Sequence, residues 1–449
     1  MKTFKRISTV LIFTLLSVGL LLALGKKADG LRYPKARKAD QVDDYHGIKV
    51  ADPYRWMEAM TSPETKSWVD AQEKLFDGYV KDVAFHNDIK QRILQIRDVD
   101  SFSMPTKKGG RYFFTKTEAG QNQGVVFVQA NLSAEPKVLL HPKKFLKDPE
   151  TRLAGYSVSP DGNRIFYSVS RGQSRWTEDH IMDVDTKKVW PETLTGVGGI
   201  SWTKEGEGFY YVRYKVPEKG KELQARLKDP KIYFHEIGTP QSEDKFVYAR
   251  PDNPTWLLGS RVTHDGKYLI ITVAKGSSFS GWVDFILYKD LENSDSEIVK
   301  LVDGEDAKYA FEGSNGSTFW IRTTLGAPRG RVVAVHINKP ERENWVEVIP
   351  QSEETINTVS EIGDYLVLRY LRDALPVVKV FDHQGKFQYE VGMPSIALVG
   401  GFPDDRTAQE AYYQLWGLLE PGTIYKLDLK TGKSTLFKRP QIKFTPEDF

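Results

Sequence analysis

From residue 102 to residue 440 the chain alternates tight-turn signals with short apolar runs. Turn signals fall at Gly109-Gly110, Asp161-Gly162, Glu205-Gly206, Asp265-Gly266, Asn315-Gly316, Gly363-Asp364 and Asp404-Asp405. Each is followed by a run rich in β-branched or aromatic residues, at 112–114, 165–169, 209–212, 268–273, 319–321, 365–368 and 411–415. Six intervals cover positions 110 to 405, a mean of about 49 residues, which is in the period range of four-stranded propeller blades. Seven such units predict an all-β fold, a seven-bladed β-propeller over residues 101–440. A second set of polar turns, at Asp183-Val184-Asp185-Thr186, Asp382-His383-Gln384-Gly385 and Asp428-Leu429-Lys430-Thr431-Gly432, fits the outer hairpins of the same blades. The segment 216–230, rich in Lys, Glu and Gly, is the longest insertion and is expected to be a mobile surface loop.

The pattern ahead of the ring is different. Residues 31–54 read as extended, because Tyr33-Pro34 and Asp52-Pro53 disfavour helix at the preceding residue. A helix is expected to begin at Ser62-Pro63-Glu64, with Ser62 as N-cap and Pro63 in the first turn. Trp68, Leu75 and Tyr79 share one face, flanked by Val69, Phe76 and Val80. A second helix over 87–97 repeats the pattern with Ile89, Ile93 and Ile96. Residues 31–100 thus form an extended and helical arm whose apolar faces exceed what two helices bury between them. Residues 441–449 follow the last blade.

Composition changes the picture at the amino terminus. Lys2, Lys5 and Arg6 precede an apolar stretch over 7–24, followed by Gly25-Lys26-Lys27-Ala28-Asp29-Gly30. A basic head, an apolar run and small residues describe a secretory signal over 1–30, with cleavage after Gly25 or Gly30. The run is also near the length of a membrane span, so anchoring through 7–24 is the competing reading. The expected location is therefore periplasmic or secreted, with a membrane link only if the segment is uncleaved. Residues 1–30 carry five Lys and Arg against Asp29, a net of +4, so removing them takes the whole-chain +3 to −1. A nearly neutral remainder gives no electrostatic case for nucleic acid. With no cysteine, disulfides, thiolate metal sites and a cysteine nucleophile are excluded.

Chemistry is sparse along the chain. No Gly-x-Ser-x-Gly elbow occurs; Gly276-Ser277-Ser278-Phe279-Ser280-Gly281 has the wrong spacing. There is no His-Glu-x-x-His, P-loop or dinucleotide fingerprint, and the eight histidines do not fall into ligand spacing. No catalytic residue, metal site or cofactor is expected.

Several motifs carry a resemblance. Asp43-Asp44-Tyr45-His46-Gly47, Val50-Ala51-Asp52-Pro53-Tyr54-Arg55-Trp56-Met57-Glu58, Ser62-Pro63-Glu64-Thr65-Lys66 and Ala71-Gln72 closely resemble the start of prolyl oligopeptidases. Gly120-Gln121-Asn122-Gln123, Ser159-Pro160-Asp161-Gly162, Gly238-Thr239-Pro240-Gln241-Ser242-Glu243-Asp244 and Pro421-Gly422-Thr423-Ile424-Tyr425 continue it through the ring. The resemblance implies a two-part serine peptidase. An α/β-hydrolase domain carries the triad, and a seven-bladed propeller caps it and admits short proline-containing peptides. These 449 residues resemble the arm and the propeller, with 441–449 as the start of the return to a hydrolase domain. They are expected to be inactive alone, and the reading extends to a split or truncated gene. The partners implied are short peptides once a hydrolase domain is supplied, and a separate hydrolase chain docking on 31–100. By position beside the matched motifs, Ile181 and Val247 are candidates to line the substrate cleft. Asp244, Arg250, Trp56 and Trp68 are candidates for a domain interface. A stand-alone propeller that binds peptides or proteins in the cell envelope is the alternative.

Overall fold

The computed structural model describes residues 31–145, 150–172, 174–218, 220–223, 225–276, 281–304 and 306–444. The expected signal segment lies outside them. The chain divides into two units, 1–95 and 96–449.

In the first unit a two-stranded hairpin (β1, Val42–Tyr45; β2, Ile48–Ala51) turns at His46-Gly47, where the Gly47 amide donates to Asp44 Oδ1 at 2.7 Å. Helix α1 spans Pro63–Lys81 and α2 spans His86–Arg97. The start of α1 follows from its sequence. Ser62 is extended, its Oγ accepts from the Thr65 amide at 3.1 Å, and Pro63 occupies a position whose amide has no helical partner. Phe76, Tyr79, Ile89, Ile93 and Leu94 are all exposed, so the surplus apolar surface expected of the arm is present.

The second unit is a ring of seven antiparallel sheets, each made from consecutive strands. Blade 1 uses Ser101–Phe102 and Thr106–Lys108, both paired with Arg111–Thr117, then Val125–Gln129 and Lys137–Leu140. Blade 2 runs from Thr151–Val158 to Leu194–Thr195, blade 3 from Val197–Trp202 to Lys245–Ala249, and blade 4 from Leu257–Val262 to Val299–Asp303. Blade 5 runs from Tyr309–Asn315 to Val346–Ile349, blade 6 from Thr355–Ile362 to Phe387–Glu390, and blade 7 from Leu398–Gly401 to Ser434–Lys438. The first strand of each is innermost, and the first strands of blades 3 and 4 and of blades 5 and 6 approach one another.

Every turn signal of the first set sits between the first and second strands of a blade, and every apolar run lies in a second strand. The reason is burial on both faces. In Arg164–Arg171, Ile165 and Tyr167 pack toward blade 1 while Phe166 packs toward blade 3. In Tyr268–Ala274, Leu269 and Ile271 face blade 3 and Ile270 faces blade 5. In Thr318–Thr323, Phe319 and Ile321 face blade 4 and Trp320 faces blade 6. A strand covered on both sides loses the alternation of a half-exposed one and reads as a continuous apolar run.

The inner turns lock neighbouring blades. Gly109 (φ +53) and Gly162 (φ +73) face each other so closely that a Cβ on Gly109 would sit 1.8 Å from the Asp161 carbonyl oxygen, and one on Gly162 2.6 Å from that of Lys108. The outer edges are protected by a repeated device. In blades 1, 3, 4, 5, 6 and 7 the outermost pairing slips by one residue, leaving a bulge at Leu139, Val247, Leu301, Val348, Gln388 and Phe437. Bulges twist an edge away from pairing with another chain. Blade 2 instead ends in a two-residue strand.

Six apolar clusters fill the six seams from blades 1–2 through blades 6–7. At the seam between blades 7 and 1 the contacts are of another kind. Lys438 Nζ lies 3.7 Å from the centre of the Phe102 ring, Gln414 Nε2 donates to the Phe102 carbonyl at 3.2 Å, and Lys443 Nζ meets Asp98 Oδ2 at 2.9 Å. Among the described residues no strand of the last blade joins the first, so packing and polar contacts close the ring. One expectation fails here. Asp404-Asp405 is not a tight turn but part of an eight-residue connection, 402–409.

Two outcomes follow from this packing. Amides of 101–108 and 398–401 should exchange with solvent through a local opening of lower free energy than amides of blades 3–5, measured by native-state hydrogen exchange. Uniform protection around the ring would contradict a weak seventh seam. Separately, burial outweighs the hydroxyls of Ser168 and Thr177 and pushes the fully buried Asp179 carboxyl up to about 6. A carboxyl raised on folding favours the fold below its unfolded pKa, and that advantage is lost as pH rises from about 4 to about 6. Asp179→Asn should therefore gain on the parent by up to about 3 kcal/mol between pH 4 and pH 7 in urea titrations. A difference independent of pH would contradict this.

Candidate functional site

Strand directions define two faces of the ring. First and third strands begin, and second and fourth strands end, on the face where the chain enters at 101 and leaves after 438. We call this the proximal face. The inner and outer hairpin turns occupy the distal face.

The proximal face carries the main cavities. On blade 2, beside the 216–230 insertion, an opening of about 860 Å³ is lined by Tyr167, Arg171, Trp176, Glu178, His180 and Leu223, among others. Trp176 Nε1 donates to the Glu222 carbonyl at 3.2 Å, which fixes the indole against the 216–230 insertion. The His180 ring stacks obliquely on Tyr167 at 5.3 Å, and burial lowers its pKa against the opposing charge of Glu178. Beside it, Arg213, Tyr214, Tyr233, Arg250, Pro251 and Pro254 border a second cavity of about 700 Å³. Arg250 lies 4.8 Å over Trp256 and 5.3 Å over Phe285, with its guanidinium paired to Asp252 at 2.8 Å. This arrangement keeps a planar cation rigid at the rim.

Blades 6 and 7 present an apolar surface on the same face. Leu418 is 99% exposed, Ile396 83% and Leu398 70%, and Leu371, Leu375 and Trp416 are also exposed. These residues come from the ends of second strands, the start of a third strand, the turn between the second and third strands of blade 7, and the connection into that blade's first strand with the strand's first residue. A contiguous apolar patch of this kind marks a surface made for contact.

The structure sorts the candidate residues. Ile181 is 0% exposed, in the cluster between blades 2 and 3 with Phe166, Leu194, Trp202, Phe209 and Tyr211. It lines no surface, because its place in mid-strand points it into the seam. Asp244 does not reach an interface either. Its side chain is 1% exposed, with Oδ1 2.7 Å from His235 Nδ1 and Oδ2 accepting from the Tyr211 hydroxyl. Gln241 Nε2 donates to the same hydroxyl at 3.0 Å and to the Thr195 carbonyl at 3.0 Å, so the Gly238–Asp244 motif is pinned from within. Burial, reinforced by Asp244, raises the Tyr211 phenol above its ordinary range. Val247 is the half-buried bulge residue of an outermost strand and packs on the blade 4 cluster. Arg250 is on the proximal face. Trp56 and Trp68 meet edge to face at 6.5 Å inside the first unit, where Trp56 Nε1 donates to the Arg37 carbonyl at 2.9 Å.

Sequence reasoning missed Tyr167, Trp176 and His180; they lie in one hairpin, with Tyr167 and His180 paired across its two strands, but nothing in their spacing marks the cavity they line. The apolar residues at 396, 398 and 418 had a signal, since they sit where turn composition should be polar. Among the described residues no cluster of His, Asp and Glu is arranged to hold a metal ion.

Residues 33–440 match the family described as prolyl oligopeptidase, N-terminal beta-propeller domain. Prolyl endopeptidase of Elizabethkingia miricola is 33% identical over 426 residues, covering 94% of this chain and 59% of its own length. Prolyl endopeptidase of Dictyostelium discoideum is 24% identical, with 93% and 64% covered. A solved structure from a study of two prolyl endopeptidases superposes with a TM-score of 0.84 at 29% identity, covering 93% of this chain and 61% of that one. Prolyl oligopeptidase B of Galerina marginata, bound to a 35-residue substrate, shares the fold with a TM-score of 0.82 at 22% identity. The chain thus spans about three-fifths of the length of these relatives. With the propeller domain matched across nearly all of the described residues and seven blades in place, this chain belongs to the prolyl oligopeptidase family.

Proposed function

We propose that this chain is the propeller and arm of an exported serine endopeptidase acting on short proline-containing peptides. Its role is to restrict access to a hydrolase domain seated on the proximal face. The observation that carries the reading is the apolar surface of Ile396, Leu398 and Leu418, on the face where the chain enters and leaves the ring. A partner domain joined at both ends of the propeller would meet that face first. The exposed helical residues of the arm are surface of the same chemistry.

Acyl transfer by a serine enzyme needs a nucleophile, a base within hydrogen-bond reach and donors aimed at the oxyanion. Residues 1–449 offer no nucleophile elbow, so hydrolysis depends on residues supplied by the remainder of the polypeptide or by a second chain. The propeller then contributes position and exclusion. Side chains on the proximal face, including Trp176 and Arg250, form one wall of the space between the parts. The ring limits what enters that space by size.

Two measurements test this. Purified residues 31–449 should not cleave a proline-containing chromogenic peptide, and adding the hydrolase domain of a prolyl endopeptidase should restore cleavage. The double variant Ile396→Lys, Leu418→Glu should abolish that rescue and reduce self-association of the isolated chain, with far-ultraviolet circular dichroism unchanged. Full rescue by the variant would remove the proximal face from the reading. Export is checked by mass spectrometry of the protein recovered from the producing cell. A chain starting at Lys26 or Leu31 supports a cleaved signal; an intact Met1 in the membrane fraction supports an anchor.

A further inference from the structure

The distal mouth of the axial channel is crossed by a segment that the blade repeat does not require. Connections between first and second strands take two to five residues in blades 1 to 6, whereas blade 7 uses the eight residues 402–409. The segment does not fold back on its own blade. Asp404 Oδ2 accepts from Arg261 Nη2 of blade 4 at 2.9 Å. In a ring of seven, blades 4 and 7 are three apart, the largest separation there is, so this ion pair spans the axis. Asp404 Oδ1 accepts from the Glu361 amide of blade 6 at 2.8 Å. The Asp405 backbone bonds on both sides of Ile362, receiving the Gly363 amide at 2.9 Å and donating to the Glu361 carbonyl at 3.0 Å. Arg406 donates to the Glu361 carboxylate and, at 3.0 Å, to the Ser314 carbonyl of blade 5.

The segment is built to hold this course. Gly401 (φ +106) leads into it, and a Cβ there would lie 2.8 Å from the Tyr412 carbonyl oxygen. Phe402 follows in the left-handed region (φ 58), 1% exposed and stacked on Tyr413 at 5.2 Å, so burial holds a conformation a free phenylalanine avoids. Thr407 donates through its amide and hydroxyl to Asp405 Oδ1 and closes the tip. Toward blade 1 a cavity of about 510 Å³ lies between the segment and Pro105, Lys107, Lys108 and Tyr112. Blade 7 is thus tied forward to blades 4, 5 and 6; toward blade 1 the Met104 sulfur comes so near Gly401 that a Cβ there would lie 2.6 Å from it, but among the described residues no buried apolar cluster like those of the other six seams joins the two blades.

We propose that residues 402–409 are an ionic latch across the distal mouth, which braces the last blade from across the axis and so restrains opening of the blade 7–blade 1 seam. Arg261 is the distant anchor and Asp404 its partner. The latch acts in the propeller itself, so it stands whether or not the proximal face receives a hydrolase domain.

The test is hydrogen exchange followed by mass spectrometry on the full chain, comparing Arg261→Ala, Asp404→Asn and the double variant with the parent. Segments 361–363, 402–409 and 101–108 should exchange at least about tenfold faster in either single variant. The double variant should be no faster than the singles, because both remove one interaction. Strands at the blade 3–blade 4 seam should keep their protection, as should all segments in Lys300→Ala, which removes an exposed pair within blade 4. If Arg261→Ala does not fold, raising salt to about 1 M in the parent, where the screening length is about 3 Å, should accelerate the same segments. Exchange at 402–409 that is indifferent to Arg261, Asp404 and salt would overturn the latch. Acceleration at 402–409 without any at 101–108 would overturn its restraint of the seam.

Discussion

The ring rests on burial of each second strand from both sides. Phe166 and Ile165, or Trp320 and Phe319, are adjacent in the chain yet belong to different seams, so each strand serves two interfaces at once. Burying a large apolar side chain contributes about 1.5–3 kcal/mol, and these clusters are dense with aromatic and branched residues. Phe209 alone meets Phe166, Trp202 and Tyr211 at ring-centre distances of 5.3 to 5.9 Å. The blades depend on one another through these seams, and a seam without such a cluster is the natural place for the ring to give.

That asymmetry links fold to function. The first and last blades meet through a cation over an aromatic ring and a side-chain amide, contacts that water and salt weaken far more than apolar packing. Lys438 is half-buried at this seam, and desolvation lowers its pKa, with Lys116 adding repulsion. Under the proposed function the propeller excludes large chains from a reaction chamber yet releases products, and a ring with six apolar seams and one joined by polar contacts would concentrate movement in one place. The proximal face, apolar on blades 6 and 7 and cavitied on blades 2 and 3, borders that seam.

Buried charge in this molecule is structural. Arg322 and Glu312 pair at 2.5 Å almost out of contact with water, with Arg322 also donating to the Asn357 carbonyl at 2.7 Å and lying 3.9 Å over Trp282. Burial still raises the Glu312 carboxyl above its ordinary range. Glu361 behaves likewise: Arg406 attracts its ionised form, yet burial wins and pushes it up to about 7. Such groups add little net stability, because desolvation offsets their attraction, but removing one partner strands the other. They fix which blade faces which and where the 402–409 segment runs.

Much of the fold was legible in the sequence. Ser62-Pro63 fixed the start of α1 because an N-cap is a local interaction between a side chain and an amide three residues on. Six two-residue turn signals and seven apolar runs fell where the blades required them, because strand period and turn geometry are short-range properties. The family motifs located the arm and the propeller. The site was not legible in the same way. Ile181 and Val247 were chosen by position beside motifs, yet what a mid-strand side chain faces depends on a blade tens of residues away. Asp244 read as an interface charge because His235 and Tyr211, its partners, lie on other strands. Asp404-Asp405 read as one more tight turn, although Pro403 and the eight-residue gap before Glu410 marked it as longer. The sequence by itself determined the number of blades, the strands that fill them and the capped arm, since these follow from contacts between near neighbours in the chain. Tertiary structure alone decided which side chains reach the proximal face, that the seventh seam is polar, and that Arg261 meets Asp404 across the axis, since those depend on where a closed ring brings distant segments together.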